Sequence, residues 1–271
     1  MTAAVAPTTL VHAHAAERDY LSWSQLSAYR SCALRYFFKY VIGLPEPTVS
    51  ASLVFGSAIH RAIEQHFREL LIGNPPPTTD ELIGHYQAEW RERGDVRLDS
   101  DAERESLDRM AGRMLAAFQR HDAARPHGQI LAVEESLRGE LVPGLPDLLG
   151  RIDLIVETND ALVISDWKTS RSRWSADQAD DNAEQLLLYA ELARDFAPGK
   201  QVRVEFVVLT KAKETAVDRH QRNVVPGQVD RAKRIAERVY RAIEAEHFFP
   251  SPSPMNCNGC PFREPCRKWP G

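Results

Sequence analysis

The stretch G-R-I-D-L-I-V-E-T-N-D-A-L-V-I-S-D-W-K-T, residues 150–169, holds two apolar runs, 152–156 and 161–164, around the polar Thr158, Asn159 and Asp160. Valine and isoleucine enrichment on both sides of a polar turn predicts a β-hairpin. Residues i and i+2 of a strand point to one face, so Asp166 and Lys168 project together at the end of the second run. Strand pairing can bring Asp153, in the first run, beside them. Two carboxylates and an ammonium at a hairpin end suit phosphodiester hydrolysis. Carboxylate oxygens are hard ligands for Mg²⁺ or Mn²⁺, and such an ion offsets charge growing on the phosphate and lowers the pKa of a bound water. Lysine can orient or deprotonate that water, or meet the charge of the transition state. The same residues also describe a surface hairpin with an ion pair, because Asp-x-Lys occurs by chance about once in a chain of this length. The rest of the sequence has to decide.

With 271 residues, 27% charged and 43% hydrophobic, the chain has ordinary globular composition and can bury a substantial core. No apolar run approaches the roughly 18 residues that span a bilayer. The start, M-T-A-A-V-A-P-T-T-L, has neither a basic segment nor an apolar core, so the expected location is the cytoplasm. A net charge of −4 excludes whole-molecule attraction to nucleic acid, and any DNA contact has to come from a local basic groove.

The four cysteines are Cys32, Cys257, Cys260 and Cys266, one near the start and C-x2-C-x5-C at the end. In a reducing compartment this arrangement argues for a metal centre rather than disulfides. All-thiolate ligation fits an iron–sulfur cluster or structural zinc. A lone distant fourth ligand fits a zinc ribbon poorly, which favours iron and sulfur.

Along the chain, residues 1–18 are alanine-rich and aperiodic and read as a tail, with residues 19–271 as one domain. Ser22 or Ser24 can cap a first helix. The aromatic segment 32–42 reads as core. A helix is expected over 52–72, with Gly56, His60, Ile63 and Phe67 on one face. His60 there is either a core histidine or a ligand that reaches the hairpin. Pro75, Pro76 and Pro77 break the pattern, and helices over 79–93 and 101–121 make the block 74–125 a helical insertion. Strands are expected at 130–141, carrying Glu134 or Glu135, at 202–209 and at 215–225. One helix is expected over 174–196, with Gln185 and Tyr189 as i, i+4 neighbours, and another over 229–247 with a basic outer face.

Taken in order, Cys32, G-S-A-I-H ending at His60, G-R-I-D ending at Asp153, D-W-K from Asp166 to Lys168, Q-L-L-L-Y from Gln185 to Tyr189 and the three terminal cysteines resemble a known family. It is the RecB-like branch of the PD-(D/E)XK nuclease superfamily in its iron–sulfur form, which includes the AddB nuclease domain and the CRISPR-associated four-cysteine exonucleases. The resemblance covers nearly all of residues 20–268.

It implies an α/β fold, a mixed central sheet flanked by helices in the manner of restriction endonucleases. The N- and C-terminal segments would be joined by a [4Fe–4S] cluster on Cys32, Cys257, Cys260 and Cys266. His60, Asp153, Asp166 and the Trp167 carbonyl would hold Mg²⁺ or Mn²⁺. Lys168 would orient the attacking water, while Gln185 and Tyr189 would position DNA or support Lys168. Glu134 or Glu135 falls where many members carry a further acidic residue. The implied function is a metal-dependent exonuclease on single-stranded DNA or DNA ends, in repair, recombination or CRISPR adaptation. A helicase or CRISPR adaptation protein is the implied partner. The alternative is a catalytically idle DNA-binding subunit of a helicase–nuclease complex. The block 74–125 matches no motif of the family.

Overall fold

The hairpin predicted at residues 150–169 is present, and its strands, Asp147–Glu157 and Ala161–Ser170, run longer than the apolar stretches that announce them. A computed structural model of the chain describes residues 19–46, 49–93, 96–98 and 100–270, and the tail expected at residues 1–18 lies outside the described residues. The chain divides into two units, Thr48–Arg238 and Met1–Pro47 with Val239–Gly271.

In the first of these, five strands pair in chain order: β1 (Gln129–Gly139), β2 (Asp147–Glu157), β3 (Ala161–Ser170), β4 (Gln201–Thr210) and β5 (Val217–Asn223). Neighbours are antiparallel except β3 and β4, which are parallel, so the sheet is mixed. A parallel step needs a crossover. Residues 171–200 supply it, with α4 (Ala176–Asp181) and α5 (Glu184–Leu192).

The single helix expected over 174–196 is therefore corrected to two helices and a short 3₁₀ turn, Arg194–Phe196. The break falls at Asn182, whose side-chain Nδ2 donates to the Gln178 carbonyl at 2.7 Å. Asparagine offers the backbone a local partner that competes with helix propagation.

Three capped helices cover one face of the sheet. The hydroxyl of Ser50 accepts from Leu53 N at the start of α1 (Ala51–Leu71). Thr78 and Glu81 form a capping box for α2 (Thr79–Glu92), and Ser100 caps α3 (Asp101–Arg120). Side-chain oxygens in these positions satisfy amide groups that the first turn leaves open. Phe55, Ile59, Ile63, Phe67, Tyr86, Met114 and Phe118 pack against Val133, Leu154, Val156, Val163, Trp167, Val207 and Leu209. The Trp167 ring stacks on Phe67 at 5.3 Å and meets Phe118 edge-on at 5.4 Å. Burying a large side chain contributes about 1.5–3 kcal/mol, so this layer holds α1 firmly beside β3. Ile155, Ile164, Phe206 and Val208 point to the other face and are equally buried, and α5 packs against β1 to β4.

The other unit is built from short helices rich in aromatic residues. Ser22 and Gln25 form a capping box at Trp23–Ser31, followed by Ala33–Tyr36 and a wide turn, Phe37–Val41. Tyr36 stacks on Phe248 at 6.3 Å, Phe38 meets Phe262 at 5.8 Å and Phe37 meets Trp269 at 5.0 Å. The Tyr29 hydroxyl donates to the His247 carbonyl at 2.7 Å. The aromatic segment thus forms core. Among the described residues no helix is long and apolar enough to cross a membrane.

Candidate active site

Where β2 and β3 part, a carboxylate takes over from the backbone. Their ladder ends at the Leu154–Ser165 pair. One residue on, Asp153 Oδ2 accepts from Trp167 N at 2.8 Å. A hydrogen bond from a strand amide anchors that carboxylate without neutralising it. His60, on the third turn of α1, brings its Nδ1 to 3.4 Å from the same Oδ2. The Trp167 backbone is also near enough to act on its ring. Glu134 of β1 completes a group in which one donor atom each of His60, Glu134 and Asp153 lies within 4.8 Å of the others.

The electrostatics of this group are those of an incomplete charge balance. Burial first, and the neighbouring Asp166 charge second, push Asp153 up to about 8. Burial and then the Asp153 charge push Glu134 up to about 7. Burial lowers the His60 imidazole, keeping it in the neutral form that can donate a lone pair. Clustered acids in low-dielectric surroundings resist ionisation unless a cation joins them. Two acids and a neutral imidazole are a suitable donor set for a divalent ion.

Asp166 and Lys168 do project together, with Lys168 Nζ 2.6 Å from Asp166 Oδ2. Asp166 is 5% exposed. Burial draws the Lys168 ammonium down, but the charge and hydrogen bond of Asp166 outweigh it and the net shift is upward. Lys168 therefore stands as a charged ammonium next to buried carboxylate.

The i, i+4 neighbours on α5 also reach this region. Gln185 Nε2 donates to the Tyr189 hydroxyl at 3.2 Å. Burial raises the Tyr189 phenol; its hydroxyl also meets the Arg151 backbone, and Asp166 and Lys168 lie within electrostatic range. Gly150 leaves room for its ring.

Of Glu134 and Glu135, Glu134 is the one in the site. Its φ of 52° is left-handed, which is uncommon for a residue with a Cβ and turns the side chain out of strand alternation. Arg151, part of the G-R-I-D motif but given no role by sequence reasoning, pairs with Glu134. A cleft of about 940 Å³ opens over this group, lined also by Ser52, Ser57, Arg61, Arg93, Thr169 and Lys211. Lys211 follows the apolar run of β4 directly, a position with no sequence signal of its own.

All four cysteines are free and lie in the other unit. Cys32, Cys260 and Cys266 pack around Leu34, Phe38 and Phe262. Cys32 Sγ accepts from Ser251 N at 3.4 Å. Burial pushes the Cys266 thiol up, and Cys32, Cys260 and Cys257 are all near enough to add to the shift.

No curated protein matches the chain. Among solved structures, a candidate exonuclease from Eubacterium rectale is 16% identical, covers 92% of this chain and 88% of its own, and has a TM-score of 0.57. SSO0001 is 15% identical over 88% of this chain and 92% of its own, with a TM-score of 0.34. The alkaline exonuclease LHK-Exo from Laribacter hongkongensis is 12% identical over 73% of this chain and 89% of its own, with a TM-score of 0.31. The first of these likenesses supports the fold alone. The model of the PD-(D/E)XK nuclease superfamily matches residues 20–267, the span that holds the mixed sheet and every residue of the site. The chain belongs to the PD-(D/E)XK nuclease superfamily.

Proposed function

We propose that this chain is a Mg²⁺- or Mn²⁺-dependent DNA exonuclease acting on single strands or frayed ends, with a structural [4Fe–4S] cluster. The observation that carries the reading is the convergence of His60, Glu134, Asp153 and Asp166 beside a charged Lys168 where the β2–β3 ladder ends. His60, Asp153, Asp166 and the Trp167 carbonyl would hold the ion, and Glu134 extends the set. The ion, when bound, supplies Lewis acidity toward the phosphate and acidifies a coordinated water.

The chain's own residues do the rest. The Trp167 amide and the His60 imidazole fix the Asp153 carboxylate. Lys168 presents its ammonium to the attacking water and to charge developing on the phosphate oxygens. Such a group acts mainly in the transition state. Asp166 holds that ammonium in place. Tyr189, hydrogen-bonded by Gln185, supports the pair and contacts the DNA strand. The cluster reading is supported by Cys32, Cys260 and Cys266, free thiols from both ends of the sequence that pack in one apolar region, with Cys257 near enough to act on Cys266.

End-labelled linear and circular single-stranded DNA, incubated with Mg²⁺, Mn²⁺ or EDTA, test the proposal. Linear strands should shorten progressively from an end, circles should persist, and EDTA should stop the reaction. Asp166→Ala and Lys168→Ala should each lower the rate by about 10²–10³-fold or more. Near-wild-type turnover in either variant, or degradation indifferent to EDTA, would overturn it.

A further inference from the structure

The cations of the cleft differ in one respect. Arg61 is paired with Glu89 and Glu92, Arg93 with Glu89, and Arg151 with Glu134. Lys211 has no carboxylate partner among the described residues. Its ammonium donates to the Ser52 hydroxyl at 3.3 Å and lies 5.0 Å from the centre of the Phe55 ring. Its position is set by the sheet. β3 and β4 run parallel with Ser170 opposite Thr210, and Lys211 N donates to the Ser170 carbonyl at 2.7 Å. The next residue of the strand bearing Asp166 and Lys168 is Arg171, which is exposed and also has no acidic partner among the described residues.

Arg171 is near enough to Lys211 that, after burial, its charge further lowers the Lys211 ammonium. Two cations held side by side with nothing to offset them, one of them lining the cleft, disfavour each other unless an anion comes between. A strand rises about 3.3 Å per residue, so Arg171 lies roughly 10 Å along β3 from Lys168.

We propose that Lys211 and Arg171, with the Ser52 hydroxyl, form a second phosphate-binding subsite that holds the nucleic-acid backbone beside the bond to be cut. It rests on the nuclease reading for its substrate, and it adds the residues that position the strand. The contact is to phosphate, so it tolerates any base sequence. Leu53, 63% exposed at the cleft's rim, offers an apolar surface next to it. These are positioning residues; neither touches the reacting group.

Each phosphate contact to single-stranded DNA adds about 0.7 to the slope of log affinity against log salt concentration. Binding of a fluorescein-labelled thymidine oligonucleotide to the full chain, measured without divalent ions across a KCl series, reads this slope directly. Lys211→Gln and Arg171→Gln should each reduce it, and the double variant should reduce it by about 0.7, the share of the one phosphate the pair holds. Lys211→Arg should restore it. Arg113→Gln, an exposed cation on α3, serves as the control for loss of general charge and should leave the slope unchanged. In cleavage assays with Mn²⁺, KM should rise several-fold in Lys211→Gln while kcat changes little. Unchanged slopes and KM in folded Lys211→Gln and Arg171→Gln would overturn the subsite even if the chain cleaves DNA. Reduced slopes in a chain that cleaves nothing would leave the subsite standing and refute the nuclease reading instead.

Discussion

Gly150 records how closely α5 approaches β2. A Cβ at this position would stand 2.7 and 2.8 Å from two carbons of the Tyr189 ring, closer than carbon atoms pack. Tyr189 is 5% exposed and cannot swing clear. Gly150→Ala should therefore destabilise the protein by about 1–3 kcal/mol through overpacking, despite alanine's better strand propensity. For a chain of this size that lowers the melting temperature by about 2–4 °C per kcal/mol. It should also lower activity by displacing the tyrosine from Lys168. A melting temperature equal to wild type would show that the ring has room to move. His60 illustrates the limit of reading residues singly. Its helical spacing fits a core histidine as well as a ligand, and its Nδ1 stands 3.4 Å from Asp153 Oδ2, where the proposed ion would bind.

At the scale of elements, the hairpin was legible because two apolar runs flank a polar turn, and the i, i+2 spacing correctly brings Asp166 and Lys168 together. Of the two cap candidates for the first helix, Ser22 is the one that caps it, in a box with Gln25. Other features were not legible because they arise from tertiary constraint. Alternation along β1 could not choose between Glu134 and Glu135, since the left-handed backbone at Glu134 departs from alternation. Nor could periodicity find the break at Asn182, where a side-chain hydrogen bond decides the matter. The nearness of Lys211 to Arg171 depends on a parallel register that no local pattern encodes. The geometry of β1 makes its own prediction. Glu134→Gln should weaken metal binding and slow cleavage by about 10-fold or more, and Glu135→Gln should leave both near wild type. Equal effects from the two substitutions would show that the left-handed backbone at Glu134 does not select the ligand.

At the scale of the whole molecule, the proposed cluster would tie the beginning of the sequence to its end. A cross-link between Cys32 and residues 257–266 closes a very long loop, and the entropy removed from the unfolded chain grows with loop length. Anaerobically purified protein should be brown and contain about four irons per chain. Serine in place of any one of Cys32, Cys257, Cys260 or Cys266 should bleach the colour and lower thermal stability, because folding and cluster binding are coupled. Zinc in place of iron on elemental analysis would overturn the cluster while keeping the cross-link. Serine variants as stable as wild type would overturn the cross-link itself.

The central claim is that His60, Glu134, Asp153 and Asp166 form a cation site, and it can be measured without any substrate. Titration of Mn²⁺ into the folded protein, followed by calorimetry and by the loss of the free-ion electron paramagnetic resonance signal, reads it directly. Asp153→Asn is the informative variant, because the amide oxygen can still accept from the Trp167 amide while the charge is gone. Saturable binding in wild type, weakened at least about 10-fold in Asp153→Asn with the melting temperature preserved, is the predicted result. Equal Mn²⁺ affinity in the two proteins, or no saturable binding to folded wild type, would contradict it.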